Sequence, residues 1–452
     1  MTPFELIEHR RRLRSLVDKY SHSFPTFSPK QSGMQKEETT VAATVLLSGS
    51  TGAFGANILA ELVASPTIRR AYAVTRPKQG NTYERHAQAL RREGYDAKSI
   101  LDSPKVRLIE ADLSIEGFGV EKDLCEELEL SITHVIHNGW KVNFNAPLSE
   151  FEPNIRSVRN LVDFCLQTRA RVDQPAKIIF VGSIGMFQNA DPMDPDRPLP
   201  EEHLDQPDCA LGMGYAEAKW VSESILDKAA RKTALRPTVV RLGQIVGGPR
   251  GYWNEKDWFP ILIKSSIFLK MLPAVPGVFS WNRTHIKARA LLDMLETTER
   301  YVHLVNPRPV PETAIITIFA RKLCLPVVHI DDWMKVLQRS YDDVFTVAPK
   351  IDGKPSRVFL KQAFENNPAV RIFGFFLRVQ ESCRGKPLRP DTTTACTPLV
   401  RCEKAVAASR TLRDPLLPQI GEEDVEVWLE SWKTVGFLDH QVIGGVGVRS
   451  LL

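Results

Sequence analysis

The run Thr44-Val45-Leu46-Leu47 is followed at once by Gly49-Ser50-Thr51-Gly52-Ala53-Phe54-Gly55, and a helical apolar pattern opens at Phe54. This order constrains the fold more than any other feature of the chain. An unbroken apolar run of strand length belongs to a strand covered on both faces, as in a parallel sheet. A glycine-rich turn leading straight into a helix begins a strand–helix–strand unit. The motif recurs along the chain. Similar apolar runs lie at residues 71–75, 106–109, 133–137, 177–181 and 238–242, with helical patterns at 54–63, 148–167 and 216–230. Alternation of this kind predicts an α/β fold with a doubly wound parallel sheet. From about residue 314 onward the pattern is helical with loops, which predicts a smaller, mainly helical C-terminal subdomain. The expected division is residues 1–40 as an N-terminal helix and linker, 41–305 as the nucleotide-binding domain with a pocket segment at 247–285, and 306–452 as the substrate subdomain. The arginines of the first helix (Arg10, Arg11, Arg12, Arg14) read as a solvated face, and residues 385–398 as a loop.

Composition closes off other classes. Of 452 residues, 43% are hydrophobic and 25% charged, which excludes global disorder. The net charge of +5 is too weak, over this length, to imply a nucleic-acid partner. The longest apolar run, near 372–379, is short and interrupted by Arg378, so no membrane span is expected. The first residues lack a basic stretch followed by an apolar core, and the seven cysteines include no CxxC pair. The expectation is a cytoplasmic protein with reduced thiols. The histidines show no metal-ligand spacing, so no metal is expected. There is no GxSxG elbow.

The chemistry-bearing motifs follow the sheet order. Gly49, Ser50, Thr51, Gly52, Ala53, Phe54 and Gly55 have the context of a dinucleotide fingerprint, where backbone meets a pyrophosphate at a helix N-terminus. The second strand ends at Thr75-Arg76, and an arginine there suits the extra phosphate of NADP(H) where an acid would suit NAD. Arg85, on the next helix, is a weaker candidate for the same phosphate. Asp112 and Leu113 end the third strand, where the adenine would lie. Asn138 and Gly139 follow the fourth strand, where backbone would pass the cofactor. Tyr215-Ala216-Glu217-Ala218-Lys219 puts a tyrosine and a lysine on one helix face. It follows a fifth strand ending in Gly182-Ser183. Ser183, Tyr215 and Lys219 form a plausible set for reducing a carbonyl, and Tyr215 and Lys219 are also expected at the cofactor, with Lys219 lowering the tyrosine pKa and holding the nicotinamide ribose. Asn154 is expected either to hold a water reaching Lys219 or to bond local backbone. Trp253, Trp258 and Phe259 read equally as pocket lining or as core.

In combination these segments resemble the thioester reductase domain of fungal nonribosomal peptide synthetase-like enzymes and carboxylic acid reductases, which are Rossmann-like extended short-chain dehydrogenases. The likeness runs through Gly49 to Gly55, His137-Asn138-Gly139-Trp140, Phe180-Val181-Gly182-Ser183, Tyr215 to Lys219, Val240-Arg241-Leu242-Gly243, Trp253-Asn254-Glu255 and the tryptophans Trp428 and Trp432, covering about residues 41–440. It implies NADPH-dependent reduction of an acyl thioester, carried on the phosphopantetheine arm of a carrier protein or synthase in trans, to an aldehyde or onward to an alcohol. It also implies a place in secondary-metabolite biosynthesis. The absence of a carrier motif ahead of the reductase segment leads to the expectation of a freestanding reductase or a remnant of a larger synthetase. The chain departs from the family's usual Trp-Ile-Pro-Val-Asp at Trp281-Asn282-Arg283-Thr284-His285, and Gly182 stands where a serine is common. Two other readings share the same motifs: an extended dehydrogenase acting on a free carbonyl or acyl-CoA, and a non-catalytic NADP-sensing protein.

Overall fold

The computed structural model describes residues 3–29, 42–77, 80–190, 198–274, 277–351, 354–383 and 399–439. The 385–398 segment and most of the linker after residue 29 therefore lie outside the described residues. The chain forms two compact units, each drawn from separate stretches: residues 1–245, 282–307 and 400–417 in the first, and 246–281, 308–399 and 418–452 in the second. This partition interleaves along the chain. It sets most of the 247–285 segment in the second unit and returns 400–417 to the first.

In the first unit, α1 (Pro3–Tyr20), β1 (Ala43–Ser48), α2 (Ala53–Ala64), β2 (Ile68–Thr75), α3 (Thr82–Arg92), β3 (Val106–Glu110), β4 (His134–His137), α4 (Glu152–Gln167), β5 (Lys177–Ser183), α5 (Gly214–Lys232), β6 (Thr238–Leu242), α6 (Thr284–Asp293) and β7 (Tyr301–Leu304) follow in order. The seven strands form one sheet in the spatial order β7-β6-β5-β4-β1-β2-β3. Every pair is parallel. All six strand runs read from the sequence are present. The seventh, Tyr301–Leu304, lay hidden because four residues that include a histidine carry little pattern. That histidine, His303, is buried because Arg241 on the neighbouring strand donates to its Nε2 at 3.1 Å.

The strand residues alternate between two cores, as a period of two requires. Val45, Leu47, Ala73, Ile179, Val181 and Val240 pack with α2 and α6 on one face. Leu46, Tyr72, Val74, Val135, Ile178 and Phe180 pack with α4 and α5 on the other. β1 lies between β2 and β4, so the direction of winding reverses beside its C-terminal end. That is where a doubly wound sheet opens a crevice.

The second unit is built round an aromatic core. Trp253 stacks on Phe259 at 5.3 Å and meets Trp428 edge-on at 4.9 Å. Trp432 donates its indole N–H to the Trp253 carbonyl at 3.1 Å. A Cβ at Gly247 would lie 2.4 Å from the Trp428 indole nitrogen, so only glycine fits there. Trp253 and Phe259 are buried, which makes them core residues of this unit. No helix among the described residues is long and apolar enough to cross a membrane.

Candidate functional site

The glycine turn after β1 is shaped by contacts a side chain would block. Gly49 has φ +69°, and a Cβ there would sit 2.6 Å from the Gly139 Cα. A Cβ at Gly55 would lie 2.0 Å from the Gly49 carbonyl oxygen. Glycines at these two positions therefore let the turn, the end of β4 and the start of α2 touch backbone to backbone. Gly52 differs. A Cβ there would meet only the Gly49 oxygen, at 3.4 Å, so its outer side is open. Gly52 is also the N-cap of α2, and no side chain caps that end. An uncapped helix N-terminus behind an open glycine is a cradle that fits a pyrophosphate.

The residues around the cradle are tied down from behind. Asn138 donates to the Gly49 carbonyl at 3.2 Å, and the Gly139 N–H donates to Ser48 Oγ at 2.9 Å. Ser50 turns inward, with its hydroxyl 2.8 Å from His86 Nε2. Asn57 donates to the Ala53 carbonyl and to Glu93, both at 2.9 Å. Burial pushes the Glu93 carboxyl up from 4.5 to about 7. The folded chain then holds a proton that the unfolded chain releases, so this group's contribution to stability is lost as pH rises from about 4.5 to about 7. Glu93→Gln is expected to raise stability at pH 8 by up to about 3 kcal/mol and to change little at pH 4, which thermal melts at the two pH values would check.

At the end of β2, Arg76 is exposed. Arg85 is engaged: it donates to the Arg76 carbonyl at 3.0 Å and to Glu110 at 2.8 Å. Asp112 accepts from the Ser114 N–H and hydroxyl at 2.9 and 2.7 Å, which closes the turn after β3. The Leu113 carbonyl accepts from Asn160 on α4 at 2.9 Å. Asn154 lies half-buried in the first turn of α4.

Ser183, Tyr215 and Lys219 come together where β5 ends against α5. Ser183 caps the turn that follows it, accepting from the Gly185 N–H at 3.0 Å. Burial pushes the Tyr215 phenol up to about 12, and a hydrogen bond with Ser183 opposes that rise. Lys219 is 2% exposed and donates to the Val181 carbonyl at 2.7 Å. Its nitrogen lies 3.8 Å from the Trp140 ring centroid and 4.6 Å from that of Phe180. Phe144, itself exposed, meets the Tyr215 ring edge-on at 5.1 Å. The aromatic surroundings of Lys219 were not legible beforehand, because Trp140 and Phe180 lie 79 and 39 positions away and only the sheet brings them to it.

α1 braces this site. Leu13, Val17 and Tyr20 share one buried cluster with Tyr215 and Ala218. Tyr20 donates to Glu152 at 2.7 Å. The reading of the α1 arginines as a solvated face holds for Arg11 and Arg12, which are exposed. It fails for Arg10, which pairs with Asp208, and Arg14 donates to Gln206 at 3.1 Å. Both anchors lie in the segment leading into α5, so these two arginines hold the helix down. Gly182 also finds its reason: a Cβ there would lie 2.9 Å from Glu223 Oε1, and the glycine leaves room for the buried Glu223–Arg241 pair.

The cradle and the switch point are those of an NAD-binding domain, and Ser183, Tyr215 and Lys219 lie in the same unit. The chain belongs to the family described as male sterility protein, whose NAD-binding model matches residues 47–286, more than half of its length. It is similar to adenylate-forming reductase Nps10 of Heterobasidion annosum, with 35% identity over 435 residues, 95% of this chain and 38% of the relative. It is also similar to the carboxylic acid reductase of Neurospora crassa, with 31% identity over 346 residues, 73% of this chain and 31% of the relative. The chain thus spans well under half the length of these curated relatives. Among solved structures, the terminal R domain from the myxalamid PKS-NRPS biosynthetic pathway superposes with a TM-score of 0.70, covering 95% of this chain and 99% of that one. At 19% identity that likeness speaks for the fold alone.

Proposed function

We infer that this chain is an NADPH-dependent reductase that converts a carrier-bound acyl thioester to an aldehyde, in the setting of fungal secondary metabolism. The observation that carries the reading is the meeting of Ser183, Tyr215 and Lys219 beside a cradle that fits a dinucleotide. The relatives named as adenylate-forming and carboxylic acid reductases support thioester reduction over reduction of a free ketone.

Gly49 to Gly55 would hold the pyrophosphate, and Asn138 and Gly139 would border the nicotinamide side. Asp112 and Leu113 would flank the adenine. Bound NADPH supplies a hydride. The rest is done by the chain's own groups. The Ser183 hydroxyl and the Tyr215 phenol donate hydrogen bonds to the acyl oxygen and stabilise the charge that develops there. Tyr215 is protonated across the neutral range, so it has the proton to give. Lys219, one helical turn on, offsets the negative charge left on the phenol. The resulting hemithioacetal loses its thiol to leave the aldehyde. Asn154 stands in the helix that packs against α5, and its proposed part is to hold a water at the solvent end of the proton path.

Arg76 sets the nucleotide preference in this reading, since it is the exposed guanidinium at the end of β2, where Arg85 is already paired. Arg76→Ala should weaken NADPH binding by at least about tenfold, the scale of one charge-assisted hydrogen bond to phosphate, and leave NADH binding nearly unchanged. Equal loss for both nucleotides in a fluorescence titration would remove the assignment. The reading as a whole is tested by offering the chain NADPH with an acyl carrier protein thioester, an acyl-CoA and a free ketone side by side. Turnover of the carrier thioester is the expected result.

A further inference from the structure

Among the described residues no acid is hydrogen-bonded or ion-paired to Lys219, and its one hydrogen bond runs to the neutral Val181 carbonyl, at 2.7 Å. The titratable groups that face it are few. β4 brings His137, which burial and the Lys219 charge hold neutral by pushing it down to about 3. Its own helix brings Tyr215 and, one turn further on, Glu223. Glu223 attracts Lys219 but is committed elsewhere, with Arg241 donating to Oε2 at 3.0 and 2.7 Å. β5 offers only the Val181 carbonyl and the Phe180 ring.

Full burial pushes the Lys219 ammonium strongly down. A neutral amine would give the Tyr215 phenolate no charge to lean on. What surrounds the nitrogen is aromatic: Trp140 at 3.8 Å, Phe180 at 4.6 Å and Tyr215 at 5.8 Å to the ring centroids. The face of an aromatic ring carries the negative part of its quadrupole, indole has the strongest such face, and the attraction grows when water is excluded. The choice of tryptophan has a cost. The Trp140 indole N–H is buried and finds no hydrogen-bond partner among the described residues. A phenyl ring would avoid that loss, so the indole's stronger face is the gain that sets against it.

We propose that Trp140 is a positioning residue that keeps Lys219 an ammonium, its indole face, backed by the Phe180 ring, taking the place of an acidic partner. The proposal rests on the reading of Lys219 as the charged partner of Tyr215. It predicts a graded response. With lysine labelled at the side-chain nitrogen, the Lys219 signal is titrated by NMR in the full chain without nucleotide or substrate. The signal is assigned by its loss in Lys219→Arg. Trp140→Leu should move the midpoint down by about 1 pH unit or more, and Trp140→Phe by less. The limb of the kcat–pH profile that reports Lys219 should move with it.

Tryptophan at position 140 carrying one, two and then more fluorine atoms keeps its shape while the face loses its negative character. The midpoint should fall stepwise along that series, which also decides the matter if Trp140→Leu does not fold. An unchanged midpoint across the fluorinated series, or equal midpoints for the Leu and Phe variants, would overturn the proposal. Because the titration is read without substrate, it stands apart from the question of which acyl compound is reduced.

Discussion

Tyr215→Phe should cut turnover by about 10²- to 10⁴-fold, the range for losing a positioned proton donor, while NADPH still binds. The asymmetry comes from where the hydroxyl stands. The phenyl ring packs with Phe151 at 6.2 Å and Phe144 at 5.1 Å, and phenylalanine keeps those contacts. Only the group beside Ser183 is lost. The cradle of Gly49, Gly52 and Gly55 lies on another turn and is untouched. Stopped-flow turnover with a parallel binding titration separates the two effects. A variant that turned over like the wild type would remove Tyr215 from the mechanism, and with it the role given to Lys219.

Arg241→Met should destabilise the first unit by about 3–5 kcal/mol, because it strands the Glu223 carboxylate in the core. Both side chains are essentially fully buried, at 0% and 1% exposure. Arg241 also lies 4.9 Å from the Phe187 and Tyr301 rings, so methionine replaces its packing but not its charge. The Glu223→Gln/Arg241→Met double variant removes both charges and should recover much of the loss. Chemical denaturation of the wild type and both variants checks the order. A double variant no more stable than Arg241→Met alone would show that packing, and not the stranded charge, carries the cost.

Much of this was legible in the sequence, for definite physical reasons. Six of the seven strands announce themselves as apolar runs because both faces of the sheet are covered. The glycine turn and the Tyr215–Lys219 spacing are local patterns, so reading them needs no tertiary information. What stayed hidden is what the sheet assembles from distant segments. Trp140 comes to Lys219 because β4 and β5 are neighbours. His303 is a polar residue in a short strand, and its buried ring is satisfied by Arg241, 62 positions away. Arg10 read as solvated because its partner, Asp208, is 198 positions distant. Gly182, a departure when compared with related sequences, made sense only once Glu223 and Arg241 were seen to need the space.

The proposed activity is reduction of a carrier-bound thioester at its carbonyl carbon. The most direct test is a single turnover with NADPH carrying deuterium at its transferable position and an acyl-phosphopantetheine carrier protein as the acceptor. The expected products are an aldehyde with one deuterium on the former thioester carbon and one free carrier thiol for each aldehyde released. Consumption of NADPH with a free ketone only, with the carrier thioester left intact, would contradict it.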